Sequence, residues 1–316
     1  MKRILFACAL AALAASAAAD TYPSRPITMV VPFGAGGPTD ALARIVAQRM
    51  SVALGQTVLV ENVTGASGTV GIARVVRSAP DGYTIILGNW PAFVVASMTH
   101  TISYDVLADF EPVAMIAGSP MVLTTNPALG VRTLDEFIRL VRSKPGMSYG
   151  SSGNGSITHL AIERLKREAG IDLVHVPYKG TVPAVASVLS GDTALAFGTI
   201  PGVVPHAKAG KLVLLGASFG KRFSQIPDVP AIAETVPGYD MGFYTALFAP
   251  AKTPKEIVDK LHQEVVKAHA QPKVREIFAN SAAEPSTMNP AQLKAYIAAE
   301  VRAWGDVVRS VGLKID

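Results

Sequence analysis

Apolar residues in this chain fall into two alternating rhythms, short β-prone runs and longer stripes at helical spacing. Ile27, Met29, Val30 and Val31 make a run too short for an ordinary helix. Gly34, Ala35, Gly36 and Gly37 follow, then Pro38, which suits a first helical position because its missing N–H costs nothing there. Asp40 falls in the first turn, and Leu42, Ile45, Val46 and Met50 recur at helical spacing. Val58–Asn62 reads as a second strand. Gly65 to Gly71 then open a glycine-rich start to a helix bearing Ile72, Val75 and Val76. Thr84–Leu87 is a third strand, ending in Gly88-Asn89-Trp90-Pro91. This alternation predicts an α/β fold with a parallel sheet and helices on its faces. Ligands of such sheets gather beyond the carboxyl ends of the strands, where Gly34–Thr39 and Asn89-Trp90 lie.

Phe110–Thr125 contains two apolar pieces broken at Gly118-Ser119-Pro120 and reads as a first passage between domains. A second αβ set follows. Thr133 and Glu136 make a capping box ahead of Leu134, Phe137, Ile138 and Val141. Met147–Tyr149 is a short strand, and Ser156 an N-cap for a helix carrying Leu160, Ile162 and Leu165. Leu173–Val176 and Ala194–Phe197 are strands around a short helix at Val182–Leu189, Val203–Lys208 is a helical turn, and Leu212–Ala217 is the return passage. Phe223–Gly238 is Pro-rich and irregular, and Phe243–Phe248 is a strand that rejoins the first sheet. Two amphipathic helices close the chain, from Thr253-Pro254 and from Asn289-Pro290. The expected plan is residues 20–120 and 226–316 as domain I and 121–225 as domain II.

Two turns share one design. Gly34–Thr39 and Tyr149–Ser156 each join a strand to a helix through glycines, leaving backbone N–H groups at the positive end of the helix, where an anion binds. Asp40 either orients a ligand or stabilises its own helix from the first turn. Tyr178 and Lys179 lie in a loop after a domain II strand, and Thr199 is a hydroxyl donor at another strand end. Phe33, Trp90 and Tyr244 either form an apolar wall for an aromatic acid or pack the lobe interface. His159 and His175 read as packing or hydrogen-bonding residues.

The amino terminus adds a location. Lys2 and Arg3 precede an apolar, Ala-rich run from Ile4 to Ala15, and Ala17-Ala18-Ala19 offers small residues at cleavage positions. Residues 1–19 thus read as a secretory signal peptide cleaved before Asp20, and the protein as exported. The one cysteine, Cys8, lies inside that segment, which leaves the exported chain without disulfides or Cys metal sites. Removing Lys2 and Arg3 takes the balance from 29 − 24 = +5 to 27 − 24 = +3. The excess is spread thinly, with no Lys/Arg block to suggest nucleic acid or a membrane surface.

A set of motifs then points to a family. Tyr22-Pro23-Ser24-Arg25-Pro26-Ile27, Val31-Pro32-Phe33 with Gly36-Gly37 and Asp40, Ala79-Pro80-Asp81-Gly82-Tyr83-Thr84 and Asp109-Phe110-Glu111-Pro112-Val113 come first. Tyr149-Gly150-Ser151 with Gly155-Ser156 and His159-Leu160, His175-Val176-Pro177-Tyr178-Lys179-Gly180, and Phe248-Ala249-Pro250 with Thr253-Pro254 follow in order. The chain resembles the Bug family, the periplasmic substrate-binding receptors of tripartite tricarboxylate transporters. The resemblance implies a two-domain periplasmic binding protein of type II-like fold, each domain a mostly parallel sheet flanked by helices, with the ligand cleft between. It implies a small carboxylate held by two loops, matched here by Gly34–Thr39 and by Ser151–Ser156 with Ser151, Ser152, Asn154, Gly155 and Ser156. It also implies partnership with membrane permease subunits. No cofactor is expected, and a monomer is.

Three departures bear on the ligand. Tyr244-Thr245-Ala246 stands where the family commonly has Trp, a small residue and Gly. Ser187-Val188 replaces the usual Asp-Leu, and Gly198-Thr199 a common Asp-Asn. Di- or tricarboxylate, acidic amino acid and aromatic acid all stay open.

Other classes fit less well. Gly216-Ala217-Ser218-Phe219-Gly220 matches the G-x-S-x-G of a hydrolase elbow, but Lys221–Pro230 holds two prolines where the elbow needs a helix. The histidines show no H-x-x-x-H or H-E-x-x-H spacing, and the glycines fit neither G-x-G-x-x-G nor the P-loop. A sensor that presents its closed form to a signalling partner is the alternative to transport. The expectation is a non-enzymatic receptor.

Overall fold

The computed structural model describes residues 22–36, 38–99, 102–280 and 282–311. The signal segment, Cys8, the cleavage point before Asp20 and Gly37 lie outside the described residues.

The apolar run Ile27–Val31 is the central strand β1 of the first half, its Ile27, Met29, Val30 and Val31 fully buried. Helix α1 (Pro38–Leu54) follows the glycine turn, and β2 (Val58–Asn62) returns parallel to β1. Helix α2 (Thr69–Val76) leads to β3 (Thr84–Asn89), parallel to β1 on its other edge, and α3 (Trp90–Thr99) follows at once.

Strand β4 (Phe110–Thr125) is one continuous strand, not the two broken pieces its sequence suggests. Gly118-Ser119-Pro120 marks not a break but the place where β4 changes partners. Up to Pro120 it pairs with β9 (Gly242–Pro250), and from Met121 onward with β7 (Leu195–Thr199) and β8 (Val213–Ala217). Register shifts near Pro112 and Met115 absorb the irregularity. Between β4 and β8 lie α4 (Leu134–Ser143), β5 (Ser148–Ser151), α5 (Ile157–Ala169), β6 (Val174–Pro177), α6 (Thr181–Ser190) and, after β7, α7 (Ile200–Lys208). The capping box at Thr133 and Glu136 is formed, and Ser156 caps α5 by accepting the His159 amide.

Strand β9 rejoins the first sheet beside β3, as its sequence suggests. Helix α8 (Lys255–His269), α9 (Pro272–Asn280), the short strand β10 (Glu284–Pro285) and α10 (Pro290–Val311) complete the chain. The ten-stranded sheet runs β2-β1-β3-β9-β4-β7-β5-β6, with β8 and β10 also on β4.

This order fixes direction. Strand β3 is antiparallel to β9, and β9 to β4, so β1 and β3 run in the sense of β4. Strand β7 is antiparallel to β4 and parallel to β5, so β5 and β7 run the opposite way. Asn89 at the end of β3 pairs with Thr245, which pairs with Ala117 of β4. Thr199 at the end of β7 pairs with Met121 of β4. Along β4 these points are about 13 Å apart at the usual strand rise. The carboxyl ends of both strand sets therefore point into the interval Gly118–Pro120.

Candidate functional site

The two glycine turns leave the sheet from these facing edges. By register Phe33 stands level with Asn89, because Val30 of β1 is opposite Ile86 of β3. Likewise Gly150 is opposite Ala196, which sets Gly153 level with Thr199.

In the first turn Gly34, Ala35 and Gly36 are exposed, Phe33 and Thr39 half-buried, and a side chain added at Gly34 would meet open space. Gly36 has φ +80°, a left-handed conformation that favours glycine. Asp40 is turned inward, 2% exposed. It accepts from the Gly36 amide at 2.8 Å, Arg44 Nε at 2.9 Å and Asn62 Nδ2 at 2.9 Å, while Asn62 also donates to the Phe33 carbonyl at 3.0 Å. The Arg44 guanidinium, helped by the Gly36 amide and Asn62, holds the Asp40 carboxyl down at about 2 against the cost of burial. Asp40 thus shapes the turn from beneath.

The second turn is built with more side chains. Ser151 is fully buried; its Oγ takes the Gly153 amide at 3.1 Å and lies 2.6 Å from His175 Nε2. Thr158 Oγ1 takes the Ser152 amide at 2.9 Å, and His159 Nδ1 takes the Gly155 amide at 3.0 Å. Gly153 and Gly155 have φ +132° and +69°. Asn154 is exposed at the tip. With the His159 amide capped by Ser156, the amides of Ile157 and Thr158 are the first-turn donors that no intrahelical carbonyl can reach. Tyr178 borders this turn: its amide donates to the Ser151 carbonyl at 2.9 Å, and its ring lies against Gly150. Thr199 is exposed at the start of α7.

The three aromatic residues do not form one wall. Trp90 is 1% exposed, its ring 5.2 Å from Phe248 and 6.5 Å from Phe93, which sets it in the core of the first half and not at a lobe interface. Tyr244 stacks on Phe219 at 5.2 Å and donates to Asp240 Oδ1 at 2.9 Å. It lines a cavity of about 400 Å³ with Met115, Lys221, Met288 and Tyr296, in which none of the described turn residues takes part. Phe33 alone of the three stays at the turn.

Ser218 is buried and does not occupy an elbow. Its Oγ accepts the Met121 amide at 2.9 Å, its own amide donates to the Met121 carbonyl, and its carbonyl takes the Met241 amide. It ties together the three segments that pass between the halves. Among the described residues, no group of three His, Asp or Glu side chains stands where it could hold a metal, and no helix is long and apolar enough to cross a membrane.

A mixed sheet split into two facing sets of strand ends, each with a glycine turn onto a helix, is the architecture of a periplasmic binding protein. The model of the tripartite tricarboxylate transporter family receptor matches residues 42–313, and the chain belongs to that family. Protein BugT of Bordetella pertussis is 37% identical over 311 residues, covering 97% of this chain and 95% of BugT. Among solved structures, R. palustris Rpa4515 with adipate is 33% identical with a TM-score of 0.71, covering 93% of this chain and all (100%) of that one. MatC from Rhodopseudomonas palustris with bound malate is 33% identical with a TM-score of 0.68, covering 91% of this chain and 100% of its own.

Proposed function

We propose that the protein is a periplasmic receptor that closes two lobes, residues 20–120 with 226–316 and 121–225, on one small dicarboxylate and delivers it to a tripartite transporter permease. The observation that carries this reading is the opposed direction of the strand ends, which aims the turns at Gly34–Gly36 and Gly153–Gly155 at the same stretch of β4. Each turn opens onto the amino end of a helix, where amides and dipole favour a carboxylate. The structural relatives with adipate and malate support a ligand of that chemistry.

Ala35, Gly36 and Thr39 meet one carboxylate from one side, and Ser152, Asn154, Ser156 and the Ile157 and Thr158 amides meet it from the other. A helix end contributes ~0.3–1 kcal/mol, or up to ~2 kcal/mol when partly buried. A micromolar ligand needs about 8 kcal/mol. Side-chain contacts and lobe closure supply the rest. The role is capture rather than catalysis: Ser218, the serine of the G-x-S-x-G match, is engaged by the β4 backbone.

A thermal-shift screen over small carboxylates, with adipate and malate included, tests the reading. An acid at ~100 times its Kd adds ~2.7 kcal/mol and raises Tm. A panel in which no acid moves Tm would overturn it.

A further inference from the structure

Beneath the second turn lies a pair of histidines that the ligand reading leaves unused. Strand register sets Tyr149 opposite His175, so His175 points to the same face as Ser151, two residues on. Helix α5 brings His159 over it from the other side. The two imidazoles are parallel, centroids 3.8 Å apart and planes 7° apart, and Tyr149 stacks on His175 at 4.9 Å. Each ring holds one end of the turn: His175 Nε2 meets Ser151 Oγ at 2.6 Å, and His159 Nδ1 takes the Gly155 amide at 3.0 Å.

We propose that the stacked His159–His175 pair is a positioning device that clamps the Ser151–Gly155 turn in its binding shape, and that protonating the pair releases the turn and weakens carboxylate binding. The second half rests on the function proposed above; the clamp itself does not.

The chemistry follows from the acceptor role of Nδ1. While it takes the Gly155 N–H it must be bare, so the proton of neutral His159 sits on Nε2. Protonation puts a second N–H against the Gly155 N–H, and that bond must break. Two imidazolium rings at stacking distance also repel. The neighbouring charges do not supply a free counter-ion. Glu163 of α5 accepts both Tyr149 Oη at 2.5 Å and Lys166 Nζ at 2.9 Å, and Lys166 lies 3.5 Å from Asp172. Burial, then the neighbouring His175, holds His159 down at about 4, and burial lowers His175 as well. The clamp is therefore closed at neutral pH and opens in acid.

The test follows the Gly153 and Gly155 amides by ¹H–¹⁵N NMR in ligand-free protein from about pH 7.5 to about pH 3. The expected result is a common titration of both amides with its midpoint below the ordinary histidine range. In His159→Asn, whose Oδ1 can stand in for Nδ1 but does not titrate, the Gly155 response disappears. A Gly155 amide that does not titrate, or titrates equally in His159→Asn, would overturn the clamp. A second arm measures adipate and malate affinity at neutral pH. His159→Phe keeps the ring but loses the acceptor, and should bind about fivefold or more weakly, with His159→Asn restoring affinity. Equal affinity in His159→Phe and the parent would overturn the link to binding. If neither acid binds the parent, the carboxylate reading fails and the amide titration still decides the clamp.

Discussion

Asn89 and Thr199 end two strands that run in opposite senses, yet both come to β4 within four residues, at Ala117 through Thr245 and at Met121 directly. Strand ends that converge in this way aim two glycine turns, distant in sequence, at one stretch of β4. The proposed receptor function rests on that convergence more than on any single side chain.

Asp40 shapes the first turn through three hydrogen bonds while being almost wholly buried. Asp40→Ala leaves the Gly36 amide and Asn62 without their acceptor and should cost ~2 kcal/mol, as hydrogen bonds to charged groups do. Urea unfolding measures this. Because the folded carboxyl sits at about 2, below its ordinary value of 3.8, its contribution is present above pH 3.8 and fades as pH falls toward 2.

Glu300 shows the opposite sign. Burial raises its carboxyl from 4.5 to about 7, while it accepts Trp304 Nε1 at 3.0 Å. The fold then holds a proton that the unfolded chain gives up, so this group's contribution to stability falls as pH rises from 4.5 to about 7. Glu300→Gln keeps an acceptor for Trp304 and removes the titration. The variant should gain Tm over the parent above pH 7 and little near pH 4.5, checked by melting at both.

Ser218→Ala removes the acceptor of a buried backbone amide and should destabilise by ~1–3 kcal/mol. Hydrolysis of a simple aryl ester should be at background in parent and variant alike. A parent activity that Ser218→Ala abolishes would revive the hydrolase reading.

Asn154 stands exposed at the tip of the second turn, so Asn154→Asp should leave Tm unchanged. A new negative charge beside the bound carboxylate should lower affinity about tenfold, or ~1.4 kcal/mol. Calorimetry against whichever acid raises Tm in the screen measures it.

Much of this was legible in the chain because the signals are local. The run Ile27–Val31, the glycines after it and Pro38 specify strand, turn and helix with no help from elsewhere, and Ser156 caps α5 as its type and place suggest. Other elements were not legible. Helix α3 (Trp90–Thr99) is apolar on nearly every face and so shows no stripe. Strand β4 looks broken at Pro120 because only tertiary pairing carries it from one partner set to the next. Of the candidate site residues, the conformation of the turns was readable and the packing of the aromatics was not. Trp90 and Tyr244 have the same chemistry in a core as in a cleft wall, and only packing assigns them. The His159–His175 stack depends on the register of β5 against β6, which no local pattern reveals.

The most direct measurement follows the amides of Ala35, Gly36, Asn154 and Gly155 by ¹H–¹⁵N NMR while an acid that raises Tm is titrated in. Both turns are expected to shift together, along one saturation curve with one Kd. Two turns that respond with different affinities, or one that stays silent at saturation, would contradict a single carboxylate held between them.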